Sequence, residues 1–337
     1  MILRGRVGDA LLRSPLQKGE PLARGNLLSL LACPRDEGPL EAKPATDEER
    51  TGADGDCEEA LVCASCGARW PVEDGIVRCL GSSANPALDR PEKLDEMRAR
   101  DREASTFEAR YTGLRNAIEV PPCLGALDAR AEDAVVELGC GTGRFTLLYA
   151  GKVSATVAID FSLASLRELS ARLAGHERDR VVLVHGDVCH PAARAGAFSK
   201  VASFQVLEHI PTSEQRAAAF ATARRLLGPE GRFVCSVYHW SRSKKRRAAN
   251  GKADNAKKEG LHRSTPPIYY YNFEETELRS LLERAGFRLE RLEGIDLELP
   301  GLRLWRRLAV ALNRRLAATG FGIANAHLLL SSASARR

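Results

Sequence analysis

Val135-Val136-Glu137-Leu138-Gly139-Cys140-Gly141-Thr142-Gly143-Arg144 is an apolar run that ends in a carboxylate and three glycines at alternate positions. Glycine reaches backbone angles closed to other residues and lets a ligand approach the main chain without meeting a Cβ. The stretch therefore predicts a strand, a tight turn beneath a ligand, and a helix starting near Arg144. Dinucleotide-binding turns share that plan, but they separate their last two glycines by two residues and set a helix N-terminus against a pyrophosphate. Here the spacing is one residue throughout, and Glu137 stands at the entrance. A pyrophosphate gains nothing from that carboxylate, whereas an ammonium or sulfonium does. The expected ligand is nucleotide-like and carries positive charge.

Working outward, Thr156-Val157-Ala158-Ile159-Asp160 is a second apolar run ending in an acid, at about the distance where nucleotide-binding folds place a carboxylate on ribose hydroxyls. Val181 to Val184 read as a third strand, followed by His185-Gly186-Asp187-Val188. Val201 to Gln205 read as a fourth, with Val206-Leu207-Glu208-His209-Ile210 at its exit, and Gly231 to Val237 as a fifth. Strands alternating with helical stretches of this length imply parallel βαβ crossovers.

In this order the segments resemble the class I S-adenosylmethionine-dependent methyltransferases, in particular the broad group with Val-Leu-Glu-His after the fourth strand. The resemblance runs from near Asp133 to the C-terminus. It implies an α/β fold, a doubly wound seven-stranded Rossmann-like sheet, with S-adenosylmethionine as cofactor. Gly139, Gly141 and Gly143 would line the methionine part, Glu137 would hold its amino group, Asp160 the ribose hydroxyls, and Asp187 with Val188 the adenine. Cys140 and Phe161 would share the cofactor wall, and Gln205 would border the sulfonium. These roles suit the chemistry, because carboxylates accept paired donors and a cationic ligand tolerates acidic walls. Helices are expected over Arg216 to Leu227 and Glu274 to Ala285. The resemblance pairs the runs Phe287 to Leu297 and His327 to Ser331, with the final strand antiparallel at the sheet edge. His209 is the candidate base, its ordinary pKa being near neutral, with a role in shaping the loop beneath the site as the alternative. Polyprenyl-phenol O-methyltransferases carry Glu-x-x-Glu-His at this point and use it around a divalent ion. Gln205 replaces the first of those carboxylates, so no catalytic metal is expected.

A second unit precedes this region. Cys33-Pro34-Arg35-Asp36 is followed by Cys63-Ala64-Ser65-Cys66, and the surroundings resemble the small zinc-ribbon-like domains that accompany some methyltransferases, fused or as separate activator subunits. Two Cys-x-x-Cys knuckles in such ribbons hold tetrahedral zinc. Asp36 stands where one cysteine is missing. Cys33, Asp36, Cys63 and Cys66 form a candidate mixed structural zinc site, with Cys57 and Cys79 as alternative donors and a metal-free ribbon as the contrasting expectation.

A chain of 337 residues holds two domains. We expect an extension over 1–25, a ribbon over 26–81, a linker over 82–91 and the catalytic domain over 92–337. Pro39 to Asp56 reads as an acidic loop within the ribbon. Nine scattered cysteines do not form a secreted disulfide framework, and no stretch is apolar and long enough to span a membrane. A cytoplasmic protein is expected. Leu94, Met97, Ala104, Phe107 and Tyr111 recur at largely helical spacing, which predicts a leading helix packing its apolar face on the catalytic domain.

The methyl acceptor is expected to meet the insertion over 238–272, because ligands bind where loops leave the C-terminal ends of parallel strands. Tyr238, His239, His262 and Tyr270 are the candidate acceptor residues, and a small-molecule acceptor is the first expectation. Lys244-Lys245-Arg246-Arg247 beside the Tyr269 to Tyr271 cluster makes RNA the second. Over 300–319, leucines and Trp305 interleave with Arg303, Arg306, Arg307, Arg314 and Arg315, a pattern suited to a lid, a core helix, a dimer surface or peripheral membrane contact. A non-catalytic cofactor-binding subunit is the contrasting functional expectation.

Overall fold

The computed structural model describes residues 25–52, 56–80, 91–111, 113–250, 257–262, 264, 266–299 and 301–336. The extension expected over 1–25 and the linker over 82–91 lie almost wholly outside these.

The strands are β1 (Leu40–Pro44), β2 (Cys57–Cys63), β3 (Arg69–Glu73), β4 (Ile76–Arg78), β5 (Ala134–Leu138), β6 (Ala155–Asp160), β7 (Val181–His185), β8 (Phe198–Phe204), β9 (Leu227–Tyr238), β10 (Glu259–Leu261), β11 (Tyr269–Tyr271), β12 (Phe287–Leu297) and β13 (Ala326–Ala335). Eleven form one sheet in the order β1-β2-β3-β4-β7-β6-β5-β8-β9-β13-β12, and β10 pairs with β11 alone. The expected seven-stranded sheet is the stretch from β7 to β12. Along β5, β6 and β7 successive residues go to opposite faces and both are buried: Val157 and Ile159 join one core, Ala158 another. Strands apolar on both faces belong inside a sheet covered by helices on each side. The Ser213–Leu226 and Glu275–Arg284 helices cover one face, while Gly113–Leu127 and Leu163–Arg172 cover the other.

Two features correct the expectation. The last strand, β13, is not at the edge: it runs antiparallel between β9 and β12, as in Leu330 opposite Ser236 and Glu293. Apart from His327 its residues are small or apolar and almost all buried, whereas β12 opens with the exposed Arg288, Glu290 and Arg291 and tolerates an edge. The ribbon is also not a separate body on a tether. Its β4 pairs in parallel with β7, Val77 opposite Val184 and Arg78 opposite His185, so the ribbon continues the catalytic sheet. Cys79 N–H donates to the His185 carbonyl at 2.8 Å and extends that ladder. Trp70, Leu61 and Val77 then pack into the same core as Val182 and Val184.

Chain order reverses at β5, which has β6 on one side and β8 on the other. A crevice opens beyond the C-terminal ends of strands at such a reversal. The site lies there.

Candidate cofactor and acceptor site

The glycine turn after β5 is built as its spacing requires. Gly139, Gly141 and Gly143 have φ of +79°, +53° and +87°. A Cβ on Gly139 would meet Val206 Cγ2 at 2.3 Å, and one on Gly143 would meet Leu169 Cδ1 at 2.3 Å. A Cβ on Gly141 would meet nothing within 4 Å, and Gly141 lines the main cavity. The outer glycines are thus demanded by packing, and the middle one leaves its backbone open to a ligand. The helix expected near Arg144 begins at Thr146 and is a single short turn.

Four carboxylates line this cavity, Glu96 from the leading helix and Glu137, Asp160 and Asp187 from the strand ends. Glu137 is 1 % exposed; its Oε2 accepts from Thr146 Oγ1 at 2.6 Å and from Tyr149 OH at 2.7 Å. Burial pushes its pKa up to about 7, against the pull of those two donors. Asp160 Oδ2 accepts from Gly141 N–H at 2.7 Å and Oδ1 from Ser162 N–H at 2.8 Å, which fixes its plane. Asp187 accepts from Cys189 N–H at 2.8 Å and from Lys93 Nζ at 2.7 Å. Cys140, Phe161, Val188 and Gln205 also line the cavity; Gly143 does not. The ribbon contributes Leu80 to the same wall.

The leading segment covers the cavity, but with a face opposite in character to the expected one. In the Pro91–Glu103 helix the buried residues are Lys93, Glu96 and Ala99; Leu94 and Met97 are only half-buried. Lys93 reaches Asp187, Asp101 Oδ1 accepts from Ser162 Oγ at 2.7 Å, and Arg100 lies 3.2 Å from both Glu96 Oε1 and His209 Nε2. Below them Glu119, with no exposure, accepts from Arg115 at 2.6 Å, from Arg144 at 2.8 Å and from Gln205 Nε2 at 3.0 Å. Arg144 and Arg115 flank the Tyr111 ring at 3.7 and 4.7 Å. Sequence reasoning missed Lys93, Glu96, Arg100, Arg115, Glu119 and Arg144. The signal available was helical spacing of charges, as in 93, 96 and 100, which is ordinarily the mark of a solvated face.

His209 is buried, with both ring nitrogens engaged. Nδ1 lies 2.7 Å from the Tyr269 carbonyl, which accepts only, so Nδ1 carries the hydrogen and the Nε2 lone pair faces Arg100. Burial, and then the guanidinium, push its pKa well below the usual imidazole value. A lone pair filled by a cation does not take a proton readily. With both nitrogens engaged, His209 has the surroundings of the loop-shaping alternative rather than those of a free base.

Of the acceptor candidates, Tyr238 lines the cavity, and His262 stands 6.0 Å from its ring and 4.5 Å from that of Tyr270. His209 and His327 complete the cluster around Tyr238 at 5.7 and 5.3 Å. His239 does not join it: it is buried against the Ala326 carbonyl at 3.2 Å. Much of the basic run is tied to neighbouring groups. Lys244 is buried, with Nζ donating to His239 O and Asn272 Oδ1; Lys245 pairs with Glu274, and Arg247 with Glu298.

In the ribbon, Cys33, Asp36, Cys63 and Cys66 bring their ligand atoms within 4.8 Å of one another. Cys33 Sγ and Cys66 Sγ are 3.9 Å apart, close to the ~3.8 Å edge of a tetrahedron with 2.3 Å zinc–sulfur bonds. The donor set and its spacing fit zinc. Cys57 and Cys79 lie outside this cluster.

Comparison with known proteins agrees with both halves. Residues 135–231 match a family model described as "Methyltransferase domain", and residues 26–75 match one described as "Trm112p-like protein". No curated protein matches the chain. Among solved structures, one from Listeria monocytogenes, described provisionally as an S-adenosylmethionine dependent methyltransferase, is 17 % identical with a TM-score of 0.52, over 67 % of this chain and all of that one. The 1,6-didemethyltoxoflavin-N1-methyltransferase of Burkholderia thailandensis, with S-adenosylhomocysteine bound, is 20 % identical with a TM-score of 0.50, over 74 % of this chain and 91 % of that one. An S-adenosylmethionine dependent methyltransferase from Mesorhizobium loti is 22 % identical with a TM-score of 0.50, over 66 % of this chain and all of that one. At these identities the likeness is one of fold, and the family match supplies the chemistry. The chain joins a Trm112p-like domain, matched over residues 26–75, to a methyltransferase domain, matched over residues 135–231, in one polypeptide.

Proposed function

We propose that the chain methylates a small acceptor, planar or lipid-like, held against Tyr238. The carrying observation is the leading segment. It lies across the cavity and adds Phe107 and Tyr111 to its wall, leaving a ring-lined chamber suited to a compact molecule. S-adenosylmethionine, when bound, supplies a methyl group activated on a sulfonium. Glu137 offers Oε1 to its ammonium, Asp160 receives ribose hydroxyls, and the Gly141 backbone lies open beside it. Gln205, locked between Arg115 and Glu119, fixes the wall nearest the acceptor. Alignment of this kind supplies roughly 7–11 kcal/mol in favourable systems, so no further catalytic group is required by default.

An acceptor that must lose a proton needs a base, and His262 fits that role better than His209. Among the described residues neither of its ring nitrogens has a hydrogen-bond partner, and burial lowers its pKa, so the imidazole is neutral with a lone pair available. The acceptor is identified by incubating the protein with labelled S-adenosylmethionine and separated extracts of metabolites, lipids, RNA and protein. Label in a metabolite or lipid fraction is the expected result. Label confined to RNA overturns the proposal, and binding with transfer to no fraction makes the chain a regulatory subunit.

A further inference from the structure

We propose that the carboxy-terminal helices form a docking surface for an anionic lipid bilayer, with Leu304, Trp305 and Leu308 entering the headgroup region and Arg306, Arg307, Arg314 and Arg315 meeting lipid phosphates. The inference goes beyond the methyl-transfer reading and does not depend on which acceptor is used.

Charge is the first argument. From Leu299 to the end the sequence contains Arg303, Arg306, Arg307, Arg314, Arg315, Arg336 and Arg337, with no Lys, Asp or Glu. That is one more positive charge than the formal +6 of the whole chain, so the net charge of the protein is concentrated in this tail. Elsewhere arginines are spent on internal partners, as Arg115 and Arg144 are on Glu119. Among the described residues, Arg306, Arg307, Arg314 and Arg315 have no ion pair. They rim a groove between the Gly113–Leu127 and Arg306–Leu316 helices whose other walls include Leu114, Ala117 and Val310. Cationic rims over an apolar floor suit a phosphate head with an alkyl chain beneath it.

Exposed apolar surface is the second. Leu304 is 85 % exposed, Trp305 69 % and Leu308 50 %. Single exposed leucines are ordinary, but three large apolar side chains within five residues, beside unpaired arginines, are a patch. The helix cannot roll to hide them. Its inward face is Ala309 and Asn313, and Asn313 is pinned by accepting from Leu297 N–H at 2.9 Å and donating to the Ala309 carbonyl at 2.8 Å. Leu304 and Trp305 lead from a short turn into the Arg306–Leu316 helix, which adds Leu308 and the arginines, and exposed tryptophan and leucine beside arginine is the composition of a segment lying in a membrane interface. A phosphate backbone alone gives Leu304 and Leu308 nothing to pack on, which favours a bilayer over nucleic acid. Tyr111, which lines the main cavity, is only three residues from Leu114 in the groove, so docking here sets the cavity close to the membrane.

The test uses full-length protein and vesicles of phosphatidylcholine with and without phosphatidylglycerol, in cosedimentation at low and high salt. Expected is binding that requires phosphatidylglycerol, weakens with salt, and shifts tryptophan emission to the blue; Trp305→Phe removes that shift and so separates Trp305 from Trp70 and Trp240. Leu304→Glu with Leu308→Glu, and separately Arg314→Glu with Arg315→Glu, each weaken binding about tenfold or more. Both pairs are surface changes, and an unchanged melting temperature and S-adenosylmethionine affinity confirm that the variants fold. No binding at low salt overturns the proposal, as does equal binding without phosphatidylglycerol. Loss in the arginine variant but not in the leucine variant reduces the effect to bare charge adsorption and also overturns it. So does capture of an RNA oligonucleotide, lost with the arginines, by a protein that ignores vesicles.

Discussion

Glu137 is where the charge of the cofactor meets the protein. With burial raising its pKa to about 7, the carboxyl of the free protein is half protonated near neutrality, and a cationic amino group favours its ionised form. Binding then releases a proton. Affinity for S-adenosylmethionine should rise with pH between about 6 and 8 and level off above, and titration calorimetry in buffers of different ionisation enthalpy should show proton release in that window. Removing the Asp160 carboxylate is expected to weaken binding about tenfold to a hundredfold, the worth of charged hydrogen bonds; Asp160→Ala with unchanged affinity would sink the ribose assignment. His209 should resist protonation. Nitrogen-15 spectra of the ring should report the Nδ1–H tautomer from pH 8 down to about 5, since protonation there sets an imidazolium against Arg100. A ring charging near 6.5 would reopen its role as a base. The carboxylates were legible in the sequence because each stands at or just beyond the end of an apolar strand. The state of His209 was not, because its partner Arg100 comes from 109 residues away.

At the scale of elements, the glycine turn separates two physical causes that the sequence shows as one motif. Gly143 has φ +87° and the Leu169 side chain where a Cβ would go, so Gly143→Ala should cost about 1–3 kcal/mol of stability in denaturant titration. Gly141 sits near the ordinary left-handed region with open space beside it. Gly141→Ala, strained by its positive φ but free of a clash, should cost about 1 kcal/mol, less than Gly143→Ala, and bind S-adenosylmethionine about tenfold more weakly, because its methyl enters the ligand's space. Equal stability losses in the two variants would contradict this division. The alternation of strands and helices was readable because apolar periodicity reports what is buried. The leading helix defeated the same logic: it buries Lys93 and Glu96 under a cavity where partners such as Asp187 and Arg100 exist, and periodicity of apolar residues is blind to such a face. Likewise, β13 and β12 could be found as strands, but their order in the sheet follows from which has the charged end, a comparison between elements.

Across the whole molecule, the ribbon continues the catalytic sheet, and its contribution should be measurable as stability. β7 is Val-Val-Leu-Val-His, buried throughout, and only β4 stands between it and the ribbon's remaining strands. Ile76 and Val77 have no exposure and Leu80 has 5 %. Full burial of such side chains is worth about 1.5–3 kcal/mol each, so removing residues 1–80 should cost several kcal/mol and leave a flat apolar edge strand, the geometry most prone to pair with another chain. The expected outcome is a truncated protein that aggregates or melts well below the parent, with Leu80 missing from the cofactor wall. Supplying residues 1–80 as a separate chain should rescue solubility, because the β4–β7 ladder needs no covalent link. The zinc set offers an independent handle on the same joint. Metal analysis should find about one zinc per chain, and a strong chelator should lower the melting temperature of the whole protein, since β2 carries Cys63 at one end and the sheet transmits its loss to β7. Asp36→Cys should restore four thiolates and slow metal loss. A ribbon whose chelation or removal left the catalytic sheet equally stable would mean that the two units merely touch, and the continuous ladder between Val77 and Val184 would then contribute nothing to holding the fold together.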